Sequence, residues 1–352
     1  MKNSLLFRVW KFTFPYIDIR LTGLAVLAFG LMIANFSCIQ NHGNRLEQII
    51  DESFEFQLGE EPLYSNMSFW YDLQSKDTPY SINRRMPSMT MEAINERAIF
   101  WKKIENRLNS INPDRLSQAQ KINYRIFSRI INEKINEIKF KSFLMPINTD
   151  SGFHTGLIRI QRAMPFQTIG DYKNYIARLN EFPRYFDEQI ILMKEGLHLG
   201  ITIPQAVLND YELTISAHIV SDPEMSLFFN PFNKIQKNIP KNDREKLILE
   251  GRQAILTSVV KAYGDFLDFF ISEYRPGARV TLGATEMPNG SEYYQFKVKQ
   301  FTTLDYTPEE VHQIGLKEVE RIKSEMGIII DQVGFKGSFS EFLDFLRTDK
   351  RF

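Results

Sequence analysis

The chain has 352 residues, 43% of them hydrophobic and 13% aromatic, enough to bury a sizeable core and too apolar for a disordered polymer. Its 43 Lys and Arg are matched by 43 Asp and Glu, so no general field draws it to nucleic acid or acidic lipid, and no nucleic-acid partner is expected. With one cysteine, Cys38, an intramolecular disulfide is excluded.

Lys2, Arg8, Lys11 and Arg20, offset only by Asp18, precede an apolar run from Leu21 to Ala34. If Asn35 and Ser37 are tolerated, the run reaches Ile39, roughly 19 residues against the ~20 that span a bilayer. Residues 1–39 therefore read as a signal or anchor segment, with three readings open. It is a cleaved signal, a retained hydrophobic helix, or a lipoprotein signal whose acceptor is Cys38. The plainer alternative makes Cys38 a small apolar residue at a helix end. The positive flank stays inside, which places the remainder on the outer side of a membrane, in the cell envelope.

From residue 40 to residue 352 apolar residues recur at helical spacing and strand alternation is scarce, so a mainly α fold is expected. Asn112-Pro113 predicts a capped helix through Ile122, Ile126, Ile130, Ile131, Ile135 and Ile138, with one isoleucine stripe against a core. Thr168 with Asp171 opens another, carrying Tyr172, Tyr175, Leu179, Phe182, Phe186, Ile190 and Met193 to Gly196. Asn242 with Glu245 predicts a long helix to about Tyr274, stopped by Pro276 and Gly277. Thr307-Pro308-Glu309-Glu310 is a clear start, and a last helix opens near Ser338. Two segments break the pattern, Lys141 to Gln167 and Pro276 to Tyr294, and are expected to line a cleft.

Catalytic motifs are missing. The histidines at 42, 154, 198, 218 and 312 lie more than ten residues apart, so the paired-histidine helix of a zinc hydrolase is absent. There is no Gly-x-Ser-x-Gly elbow and no phosphate-cradling glycine loop. Glu195 with His198 and Glu309 with His312 have the i, i+3 spacing of di-iron bundles, yet each pair sits at a helix end where charge serves the dipole. Tyr293 and Tyr294 after Asn289-Gly290 read either as a substrate-facing loop or as a tight turn followed by packing residues. Arg275 and Arg279 nearby could fork a carboxylate.

Two stretches resemble the bacterial domain of unknown function 885 family. One runs from Tyr172-Lys-Asn-Tyr175-Ile-Ala-Arg178-Leu179 to Lys194-Glu195-Gly196-Leu-His-Leu-Gly200-Ile-Thr-Ile-Pro204. The other is Met287-Pro288-Asn289-Gly290-Ser-Glu-Tyr293-Tyr294, then Thr302 through Thr307-Pro308-Glu309-Glu310-Val-His312 to Glu325-Met326. The resemblance covers about Leu46 to the last residue. It implies a gluzincin-like zinc metallopeptidase of the cell envelope whose His-Glu-x-x-His helix lies in the C-terminal half, beyond Phe352.

On that basis residues 40–352 form a multi-helix half-domain supplying scaffold and substrate cleft, inactive alone. No cofactor is expected on this chain, and zinc only with a C-terminal half polypeptide. Asn289, Gly290, Tyr293, Tyr294 and His312 are carried over as candidate contacts to a peptide-like substrate; no catalytic or metal-binding residue is. The rival is a membrane-anchored, non-catalytic ligand- or peptide-binding protein. A third reading is a di-iron protein on Glu195, His198, Glu309 and His312.

Overall fold

The computed structural model describes residues 42–61 and 84–351. The hydrophobic segment and Cys38 lie outside them, and among the described residues no helix is long and apolar enough to cross a membrane. The described residues are helical without strands, apart from one isolated bridge between Ile147 and Gly152. The mainly α expectation holds.

The chain divides into two compact units: Met1–Ile82 with Met91–Ile135, and Asn83–Thr90 with Asn136–Phe352. In the first, α1 (42–60), α2 (Met91–Asn109) and most of α3 (Gln118–Lys139) bury Leu46, Ile49, Ile94, Trp101, Ile104, Leu108 and Ile131. Phe56 stacks on Phe100, and Glu52 pairs with Arg107 at the edge. Two expectations are corrected here. Asn112-Pro113 caps only a short 3-10 turn, Pro113–Arg115, and α3 starts at Gln118 on Ser117. Its isoleucine stripe is core only in part: Ile131 is buried and Ile135 and Ile138 half-buried, while Ile122, Ile126 and Ile130 are exposed.

The second unit is built on aromatic residues. α4 (Ile169–Asn180) opens on the expected Thr168–Asp171 capping box. Pro183 then restarts the chain as α5 (Phe182–Leu199), which runs through Gly196 to a left-handed Gly200 cap. Gly196 is interior because α5 meets backbone there: a Cβ would stand 2.7 Å from the Ile201 carbonyl and 3.0 Å from that of Leu144. The short α6 (Glu212–Ser216) follows. The long helix α7 spans 241–277, with wide π turns at Ile255–Val260 and Phe270–Tyr274. It begins on Pro240 without a side-chain cap, so the Asn242–Glu245 box does not form, and Pro276 lies inside the last turn.

The wide turns follow from the apolar spacing. Leu247, Gly251, Ile255, Val259 and Tyr263 recur every four residues, as do Ala262, Phe266, Phe270 and Tyr274, and all but Gly251 are at most 2% exposed. A four-residue repeat overshoots the 3.6-residue turn and would walk off the buried face; a π turn holds more residues and absorbs the excess. The face so kept packs through Tyr263 and Phe266 on Phe153, Phe186 and Phe228.

The segment Lys141 to Gln167 is not a cleft wall. Leu144, Ile147, His154, Leu157, Ile160 and Met164 are buried, and Phe153 is ringed by Tyr185, Phe186 and Phe266. Its irregular backbone is tied by Tyr211 Oη to Ser151 O and Tyr263 Oη to His154 O. Residues 84–90 are strapped to α4 and α5: buried Arg178 donates to Arg85 O, Arg184 to Met86 O and Pro87 O, and Met89 N to Glu188. Burial pushes the Arg178 guanidinium down to about 10. Beyond α7 come α8 (Gly290–Thr302), α9 (Pro308–Gln332) and α10 (Phe339–Thr348); α9 and α10 open on the complete capping boxes Thr307–Glu310 and Ser338–Glu341.

Candidate functional site

The end of α7, the connection that follows and the first turns of α8 carry most of the residues that the sequence singled out. Arg279 is its staple: Nε donates to Thr202 O at 2.7 Å, Nη1 to Thr281 O and Gly283 O at 2.7 and 2.8 Å, and its amide to Thr202 Oγ1. Arg275 pairs with Glu212 at 2.8 Å. The expected carboxylate fork is therefore engaged with the protein itself. Arg275 still borders an open concavity of 380 Å³, with Gln205 and Asn209 on its polar side and Ile271, Pro276 and Val280 on its apolar side. Gln205 is held there by its amide on Arg279 O and its Nε2 on Arg275 O.

Asn289 and Gly290 do conformational work. Asn289 is left-handed at φ 55°, a conformation asparagine tolerates better than most residues. Gly290 is buried so tightly that a Cβ would lie 2.0 Å from Ala284 O. The turn aims Tyr293 inward and leaves Tyr294 exposed.

Tyr293 packs edge-on against Phe140, which stacks on Phe296, while Lys297 lies over the Tyr293 and Phe296 rings at 5.5 and 5.2 Å. The Lys297 ammonium pairs with Glu137 and donates to Gln300 Oε1 at 3.0 Å; Gln300 Nε2 donates to Glu137 at 3.1 Å. Burial raises the Glu137 carboxyl, but hydrogen bonds from Lys297 and Ser142 outweigh it and hold the group below its ordinary range. Burial, with the Glu137 charge behind it, raises the Tyr293 phenol. This half-buried patch of one acid, one amine, one phenol and one amide can grip a polar group against aromatic faces. Sequence reading found Tyr293 but missed Glu137 and Lys297, whose 160-residue separation leaves no local signal.

His312 stands exposed near the start of α9. His198 and Glu195 are likewise at the surface, 4.0 Å apart. His154 and half-buried His218 belong to the aromatic core. Among the described residues no three His, Cys, Asp or Glu converge so as to hold a metal ion. The di-iron reading on Glu195, His198, Glu309 and His312 is corrected accordingly.

A family model described as "Bacterial protein of unknown function (DUF885)" matches residues 74–352. The crystal structure of a Colwellia psychrerythraea protein bearing the name "putative lipoprotein" has the same fold, with a TM-score of 0.71 at 21% identity. The match covers 90% of this chain and 55% of that one, so this chain spans about half of that protein's length. No curated protein matches the sequence.

Proposed function

This chain belongs to the bacterial DUF885 family, and on that premise we propose that it is the scaffold and substrate-cleft portion of a cell-envelope, metallopeptidase-like hydrolase. The observation that carries the reading is one of extent. The chain spans 55% of a solved chain of the same fold, and no three potential metal ligands converge among its described residues. Zinc and its ligands would come from the part of the family's longer chains that it does not span. What this chain would supply is substrate contact: Tyr293, with Glu137 and Lys297 behind it, exposed Tyr294, and His312 on α9. Residues 1–39 would act as signal or anchor, with Cys38 as lipid acceptor; the name of the Colwellia protein supports that assignment.

The test is hydrolysis of a mixed peptide library by the purified chain, zinc-loaded and alone, and then together with a polypeptide carrying the part of the family's longer chains that it does not span. The expected result is no turnover alone, and stoichiometric zinc with turnover in the second case. Turnover by the chain alone would sink the reading. A second reading, a non-catalytic binder of small or peptide ligands, rests on the concavity beside Arg275. Saturable ligand uptake without turnover in either preparation, abolished by Val280→Arg, would favour it.

A further inference from the structure

α9 has the sequence of a buried helix and the surroundings of an exposed one. Ile314, Val319, Ile322, Ile329 and Val333 recur at helical spacing on one side, which also carries Glu318 and Glu325, both paired with Arg321; Lys317, Glu320 and Ser324 lie on the other, with exposed Leu316 and Ile328 among them. A stripe of that width on a globular protein faces a core. Here Ile314 is 43% exposed, Val319 51%, Ile322 45%, Ile329 54% and Val333 63%. The neighbouring α10 continues the exposure through Phe339 and Leu346. The helix does not depend on a partner for its start, because Thr307 and Glu310 cap it reciprocally. Several exposed aliphatic side chains gathered on one side of a helix mark an interaction site.

We propose that this stripe seats the part of the family's longer chains that this chain does not span, whether joined to it or supplied as a second polypeptide. The length comparison names that occupant. The Colwellia chain shares the fold over 90% of this one, yet nearly half of its own length lies outside the match. The proposal rests on the preceding reading only for the existence of that remainder; it requires neither zinc nor hydrolysis.

Hydrogen exchange over residues 308–332 tests it. This chain is compared with the same chain produced together with the part of the family's longer chains that it does not span, in one frame or as a separate polypeptide. The remainder should slow exchange in the second half of α9 by roughly tenfold or more. Ile322→Lys and Ile329→Lys should each abolish that protection. Since both side chains are exposed in the chain alone, the variants should melt within about 2 °C of the parent. Glu320→Lys, on the polar side, should keep the protection. If the variants fail to fold, the parent comparison still decides. Unchanged exchange with the remainder present, or protection of α9 by self-association of the chain alone, would overturn the proposal. Peptide hydrolysis with α9 unprotected would overturn the docking site and leave the hydrolase reading standing. Protection without zinc binding would do the reverse.

Discussion

Nδ1 of His154 is buried without a hydrogen-bond partner, and its tautomer follows from its neighbours. Thr214 Oγ1 gives its one proton to Tyr211 O at 2.7 Å, so the 3.0 Å contact to His154 Nε2 makes that nitrogen the donor. Protonating Nδ1 would bury a charge among Phe153, Tyr211, Tyr263 and Phe266; burial and then the charge of His218 push His154 down to about 3. Between pH 6.5 and 3 the unfolded chain takes up a proton that the folded chain refuses, so stability is full above 6.5 and falls as the pH falls. The loss from this residue should approach about 3–5 kcal/mol near the bottom of that window. Urea unfolding at a series of pH values checks it, and His154→Gln should flatten the dependence; an unchanged slope would show that the burden lies elsewhere. Gly290→Ala makes a sharper demand, since its methyl would strike the Ala284 carbonyl, and a cost of about 2–4 kcal/mol is expected by the same denaturation. At this scale the Asn289-Gly290 turn was legible, because asparagine before glycine has local conformational meaning. Glu137 and Lys297 were not, because nothing near either residue predicts the other.

Helix starts were legible where they depend on a reciprocal side-chain cap. Thr168–Asp171, Thr307–Glu310 and Ser338–Glu341 all form, whereas Asn242–Glu245 loses to Pro240, which fixes the entry two residues earlier. Thr307→Ala should cost about 1 kcal/mol and fray α9 first, seen as faster exchange confined to its opening turn. Faces were less legible than starts. The isoleucines of α3 were read as one stripe, but side-chain type does not say which side meets a partner. The π turns of α7 lay hidden in its four-residue repeat. A π turn behaves as a one-residue insertion, so deleting Thr257 inside the first should restore a regular turn with the flanking faces still aligned. Deleting Glu250, in a regular stretch, should rotate one half of the buried face away and cost several-fold more stability in thermal melts. Equal losses would remove the insertion argument.

For the whole molecule, helical content and family were readable, the first from periodicity and the second from Thr307 to His312 and its neighbours. The division into two units was not, because residues 84–90 are claimed for the second unit by Arg178 and Arg184, about ninety-odd positions away. The aromatic core of that unit also makes it its own optical reporter. Burial drives the phenols of Tyr175 and Tyr263 far above the ordinary tyrosine range and that of Tyr274 to about 12. An alkaline titration followed at 295 nm should therefore separate the tyrosines into a class that ionises freely near pH 10 and a class that releases its protons only as the fold opens. The late step would record unfolding of this unit without any label.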